Sequence, residues 1–211
     1  MSEPVVIVGC GGHGREIFGI IAALNDSSGD PWKVVGFLDD APSEANLRGV
    51  DRLGAAWLGP NELLSRLDAH YVIGIGDPRI RAGVAARLDP FGRPAAVIVH
   101  PAATLGLDNE VADGVVLFAG ARITTNVTLG RHVHINQNAT VGHDSVLADY
   151  VQVNPLAAVS GNCGIGREVL IGTNSCVLQG RTVGDGSTVG AGACVVRDVG
   201  AGRVVKGVPA G

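Results

Sequence analysis

The stretch ATVGHDSVLADYVQVNPLAAVSGNCGIG, residues 139–166, returns a large aliphatic at Val141, Leu147, Val153, Val159 and Ile165, every sixth position, with small or polar residues between. Followed in both directions, the spacing holds from Leu105 through Val111, Leu117, Ile123, Leu129 and Ile135 to Ile171, Val177, Val183, Val189 and Val195. Sixteen consecutive Leu, Ile or Val residues at one period exclude chance composition and predict a parallel β-helix. Three hexads make an eighteen-residue turn of a three-sided prism, with the aliphatics stacked inside. The residue two places before each aliphatic is expected to face inward as well and is small at Ala121, Ala139, Ser145, Ala157, Cys163, Ser175 and Ala193. Arg181 breaks this rule, which predicts a bulge or an outward turn near residues 180–184. The glycines after the aliphatics, such as Gly130, Gly142, Gly166, Gly172, Gly184 and Gly190, are expected to turn the corners with unusual backbone angles. Flat faces left exposed would be covered by further copies, and three-fold closure suits a three-sided coil.

Upstream the pattern is different. PVVIVG (4–9) is a β-branched strand ending in glycine, REIFGIIAALND has helical spacing, and KVVGFLDD (33–40) is a second strand ending in acids. HYVIGIGD (70–77) precedes a helix through IRAGVAARL, and AAVIVH (95–100) reads as the last strand of a small parallel sheet. The expected organisation is therefore a Rossmann-like α/β domain at 1–100 followed by a β-helix at 101–211. Thirty-two glycines and 4% aromatic residues agree with a core of small aliphatics. A net charge of −4 gives no basic field for nucleic acid or anionic membrane. Cys10, Cys163, Cys176 and Cys194 form no C-x-x-C pair and read as reduced, structural residues. The start, MSEPVVIVGCGG, lacks a basic n-region and its apolar run is short, so a cytoplasmic location is expected.

GCGGHGRE (9–16) follows a strand and opens a helix, and Gly9, Gly11 and Gly14 satisfy G-x-G-x-x-G. Amides there can hold a phosphate, which makes Gly11, Gly12, His13, Gly14 and Arg15 candidate substrate-binding residues. Asp39 and Asp40, at the end of the next strand, are placed to accept hydrogen bonds from a ribose or base edge. A dehydrogenase would need a second nucleotide half, whereas here the sheet gives way to hexads. A sugar nucleotide suits one such unit better.

His143 falls at a corner of the coil, facing away from the core, and packing does not demand it. Gly161, eighteen residues on, stacks beside it, leaving room for a thioester and offering a bare amide as oxyanion donor. Asp144 is close enough to orient the ring. From the residues alone His143 is either a catalytic base or an exposed corner histidine. His132 and His134 lack acidic or cysteine partners at ligand spacing, so no metal is expected. His134 and Gln152 should stack, as a polar ladder at a subunit boundary.

With its G-x-G-G-H-G-[KR] turn, F-L-D-D strand end, hexads, H-[DE] segment and terminal G-V-P-A, the chain resembles the family of sialic acid O-acetyltransferases and UDP-amino-sugar N-acetyltransferases (NeuD/PglD-like). The resemblance implies a left-handed β-helix, a homotrimer, and acetyl-coenzyme A as acyl donor lying between adjacent coils. It implies His143 as general base with Asp144 as its acidic partner, and Asn136 facing the sugar. It also implies that Gly161 presents its amide to the thioester, and that Gly172, Thr173, Asn174, Gly190, Ala191 and the segment from Lys206 to Pro209 line the donor channel. Gln152 departs from the family pattern, standing where some relatives carry a histidine. The expected activity is N-acetylation of a nucleotide-linked amino sugar. The alternatives are O-acetylation of a sugar hydroxyl and a non-enzymatic sugar-nucleotide sensor.

Overall fold

Four residues of the first strand, Val5 to Val8, are fully buried, and a strand apolar on both faces belongs in the middle of a parallel sheet. The computed structural model, which describes residues 2–29 and 31–211, places it there. β1 (Glu3–Val8) lies between β2 (Trp32–Leu38) and β4 (His70–Ile73), and β3 (Trp57–Gly59) takes the edge, giving the all-parallel order β3-β2-β1-β4. α1 (Gly12–Ser28) packs on the sheet through Gly14, Ile17, Ile20 and Ile21, at helical spacing. α2 (Glu44–Asp51) follows β2. α3 (Pro78–Leu88) starts at Asp77, whose side chain accepts from the amides of Arg79 and Ile80, with Pro78 in the first turn.

The segment 95–100 is not a full strand of this sheet. Ala95 bridges to Tyr71, but Ile98–Val99 already pairs with Val116–Leu117 as the first strand of the coil. The aliphatic run passes between two sheets, and local pattern alone cannot say which sheet collects its hydrogen bonds.

The rest is a left-handed parallel β-helix of two-residue strands on three flat faces. The first face carries strands at 98–99, 116–117, 134–135, 152–153, 170–171, 188–189 and 204–205. The second runs from 104–105 to 194–195, and the third from 110–111 to 182–183. From Leu117 to Val195 every hexad aliphatic is at most 2% exposed, whereas Leu105, at the open end of the coil, is 44% exposed. Each buried side chain contributes roughly 1.5–3 kcal/mol relative to exposure, so a frame shifted by one residue would forfeit the whole ladder. Arg181 does turn out, toward Asp198 at 3.7 Å, but without a bulge: Thr182–Val183 stays in register with Gly164–Ile165.

The corners are turned differently from the expectation. Left-handed backbone falls at a run of non-glycine residues including Asn126, His132, Asn138, Asp144, Tyr150, Leu156 and Asn162, with φ between 53° and 63°. Gly142, one place after its aliphatic, lies outside that region; a Cβ there would meet the amide nitrogen of Gly161 at 2.5 Å. Glycine sits at that place because the next turn of chain passes too close for a side chain.

The α/β domain docks on the first face. Val116 and Phe118 of the coil join one cluster with Val5, Ile17 and Phe37, and Tyr150 joins another with Leu64 and Tyr71. The His134–Gln152 pair is formed in register, but it faces this domain, not another subunit.

Candidate functional site

The His143 corner is built by the hexad. Asp144 takes the left-handed position, where Asp and Asn are tolerated best, and this turns its carboxylate back onto its neighbour. His143 Nδ1 lies 2.7 Å from Asp144 Oδ2, with both side chains half-exposed. Asn126, one coil turn earlier, donates from Nδ2 to the other oxygen of Asp144. The hydrogen bonds from His143 and Asn126 hold the Asp144 carboxyl below the usual carboxylate range. An ionised Asp144 fixes the tautomer with hydrogen on Nδ1 and leaves the Nε2 lone pair outward. Gly161 lies against that nitrogen: a Cβ on Gly161 would stand 2.6 Å from Nε2. Among the described residues the Gly161 amide donates to no group, while its carbonyl accepts from Gly180 and from the Cys163 thiol behind it.

A second site lies where β1, β2 and β4 end. A cleft of about 390 Å³ is lined by Gly11, Gly12, His13, Asp39, Asn61 and Gly76, among others. Gly11 is the N-cap of α1, so the cleft opens on the free amides of a helix start. Asp39 spans the turn, accepting from the amides of Cys10 and Ala41. His13 reaches the coil: its Nε2 is 2.9 Å from His134 Nδ1, and its ring lies 5.0 Å from that of Phe118. Burial, reinforced by the nearby Arg81 guanidinium, pushes His13 down to about 4, so its ring is neutral near pH 7. A larger groove of about 560 Å³ between α1 and β2 brings together no histidine or acid and lies away from the glycine turn.

Not every candidate reaches these two places. Gly14 is buried under the turn, where a Cβ would meet the Gly9 carbonyl oxygen at 2.0 Å, so its task is helix–strand packing. Arg15 does not line the cleft itself and is engaged behind its wall, donating to the Cys10 carbonyl and to the lining residue Asn46. Asp40 is occupied outside the cleft by the backbone and side-chain nitrogens of Asn61 and by Arg87. Asn136 is 7% exposed, one coil turn from Phe118, with a partnerless Oδ1 among the described residues. Gly172, Thr173 and Asn174 share one prism edge with Gly190 and Ala191: a Cβ on Gly172 would meet the Ala191 amide at 2.6 Å, and one on Gly190 would meet Lys206 at 3.1 Å. Pro209 lies in the exposed chain end beyond them. That edge follows the first face, whereas His143 and Gly161 lie on the edge after the second. Gln152 is buried against the α/β domain, accepting from Arg81.

Two contributors escaped the sequence reading. Asn126 could have been found, since it precedes Asp144 by one full coil turn. Arg81 could not, because on a short helix it looks like any solvent-facing arginine, yet it is fully buried. Among the described residues no group of three or more His, Cys, Asp or Glu side chains comes together as a metal site, and no helix is long and apolar enough to cross a membrane.

Residues 4–88 match the family model described as the PglD N-terminal domain. Over its full length the chain is similar to the acetyltransferase domain of PglB from Neisseria gonorrhoeae, solved in complex with acetyl coenzyme A. Identity is 32%, the match covers 100% of this chain and 99% of that one, and the TM-score is 0.87. A mutant of perosamine N-acetyltransferase from Caulobacter crescentus, in complex with CoA and GDP-perosamine, is 28% identical over 99% of this chain and 95% of that one, with a TM-score of 0.88. WeeI from Acinetobacter baumannii is 26% identical over 98% of both chains, with a TM-score of 0.85. No curated protein matches.

Proposed function

Because the chain belongs to the NeuD/PglD-like family of hexapeptide-repeat sugar acyltransferases, we propose that it transfers the acetyl group of acetyl-coenzyme A to the amino group of a nucleotide-linked amino sugar. The observation that carries this is the His143 corner: an imidazole oriented through Nδ1 by an ionised Asp144, with the Gly161 backbone under its ring face at Nε2. The relatives solved with acetyl coenzyme A, or with CoA and GDP-perosamine, support the two substrates.

The chemistry follows from these positions. The neutral sugar amine attacks the thioester carbonyl carbon. His143 Nε2 takes the proton released from nitrogen as the tetrahedral adduct forms, and the Gly161 amide donates to the developing oxyanion. The adduct collapses by breaking the carbon–sulfur bond, and the departing coenzyme A thiolate receives the proton from His143. Asp144 stabilises the imidazolium in between without taking its proton. Transfer is direct, and no acyl-enzyme is formed.

The α/β domain, which precedes Ile98, would hold the nucleotide, with phosphates at the Gly11–Gly12 start of α1 and Asp39 toward the ribose or base. The coil, which begins at the strand Ile98–Val99, would supply the base and the donor channel. His143 with Gly161, and Gly172 to Asn174 with Gly190 to Lys206, occupy different prism edges. We assign them to one channel made by two neighbouring copies in a homotrimer. The test is a coupled thiol-release assay with acetyl-coenzyme A and a panel of UDP- and GDP-linked 4-amino sugars, with the product examined by mass spectrometry. Amide formation on one such sugar is expected. Transfer only to hydroxyl groups would overturn N-acetylation, and tight nucleotide binding with no transfer from any acyl donor would make the protein a sensor.

A further inference from the structure

Arg81, on α3, is 0% exposed, and the five N–H groups of its guanidinium are shared among six acceptors. Toward its own domain Nη1 reaches the carbonyls of Ile75 at 2.6 Å and Gly76 at 3.1 Å, in the wall of the nucleotide cleft. Toward the coil Nε reaches the His132 carbonyl at 3.0 Å, Nη1 reaches Gln152 Oε1 at 3.0 Å, and Nη2 reaches the carbonyls of Tyr150 at 2.9 Å and Val151 at 3.2 Å. No carboxylate is among these partners. Burial draws its pKa down to about 9, which leaves it a cation near neutrality.

A buried guanidinium bonded to no carboxylate, its charge offset only through space by Asp77, is an expensive way to dock two domains that already share apolar clusters, since desolvating one ion costs several kcal/mol. What it supplies in return is geometry. The coil acceptors stand at the two ends of one turn: His132 at its start, and Tyr150, Val151 and Gln152 at its end. That turn carries His143. His13, in the cleft, touches the same turn through His134. Only a planar fork with five N–H groups can address so many acceptors at once; an ammonium on a flexible stem cannot.

We propose that Arg81 is a positioning residue for acyl transfer, clamping the nucleotide cleft to the one coil turn that carries His143 and so fixing the reach from bound nucleotide to base. This rests on the reading of the cleft as the sugar-nucleotide site.

The experiment compares Arg81→Lys, which keeps the charge and loses the fork, with Gln152→Leu, which removes one coil acceptor and leaves α3 unchanged. Calorimetry with UDP or GDP alone, and with CoA alone, should give affinities within about threefold of wild type. The kcat should fall roughly 10- to 100-fold in Arg81→Lys, the scale of a misplacement near 1 Å, and less in Gln152→Leu. A folded Arg81→Lys with wild-type kcat overturns the proposal, as does lost nucleotide affinity with kcat intact, which would make Arg81 a wall of the cleft only. If Arg81→Lys does not fold, wild-type kcat in Gln152→Leu overturns it. Should the wild-type enzyme transfer to no amino-sugar nucleotide, the functional reading fails separately. The clamp is then judged by amide hydrogen exchange, expected to rise together at residues 74–80 and 148–154 in Arg81→Lys, and no rise overturns it.

Discussion

Replacing Gly161 by alanine adds one methyl group at the point where the proposed base and oxyanion donor meet. The Cβ would stand 2.6 Å from Nε2, 2.7 Å from Cε1 and 3.0 Å from Cδ2 of His143, which puts it over the ring face at the end that must receive the proton. Backbone strain plays no part, since Gly161 is outside the left-handed region. To regain an ordinary contact the ring must retreat by about 0.8 Å, and a base displaced by about 1 Å costs on the order of 10²-fold in rate. The expected result is a kcat lowered roughly 30- to 300-fold, with the unfolding midpoint nearly unchanged because the half-exposed ring can swing into solvent. The control is Gly164→Ala on the same turn, whose Cβ would meet only Thr182 Cγ2 at an ordinary 3.5 Å; its kcat should stay within about twofold of wild type. Steady-state kinetics at saturating acceptor and donor, with unfolding curves for each variant, decide the matter. A Gly161→Ala enzyme with kcat within threefold of wild type would show that the proton does not go to the imidazole held in this position.

His143→Ala should lower kcat by about two to four orders of magnitude with little change in either affinity, and the remaining rate should rise with pH as hydroxide and free amine take over; near-normal kcat would put the base elsewhere. Asp144→Asn should cost on the order of tenfold, because it loses orientation and not the proton acceptor; a loss equal to that of His143→Ala would contradict this division of roles. Asp39→Ala should raise the apparent KM for the sugar nucleotide and spare that for the acyl donor, whereas Asp40→Ala should lower the unfolding midpoint and spare both, since Asp40 is engaged with Asn61 and Arg87. His13 and His132 are each pushed from 6.5 to about 4, chiefly by burial. The unfolded chain therefore binds more protons between these values, and stability complete above about pH 6.5 is lost as the pH falls, by about 2 kcal/mol per ring at pH 5. A urea midpoint flat from pH 7.5 to 5 would refute it.

The coil was legible because its period is a physical necessity. A stacked interior admits one large aliphatic per face, so every sixth residue declares itself, and eighteen-residue arithmetic placed Gly161 beside His143 and His134 beside Gln152. The same arithmetic misread the corner glycines, because a missing Cβ can answer either an unusual φ or a near neighbour, and only the path of the adjacent turn tells which. The strand–glycine–helix opening likewise fixed a cleft at the start of α1, yet Gly14, Arg15 and Asp40 turned out to serve packing and bonding around it. Where the α/β domain sits on the coil was invisible in the sequence. Arg81, His13, His134 and Gln152 lie as far as 139 positions apart in one chain, counted from His13 to Gln152, and no periodicity relates a helix to a distant β-helix face. Their meeting follows from which apolar surfaces fit together, and that packing alone set the position of the cleft proposed for the nucleotide relative to His143.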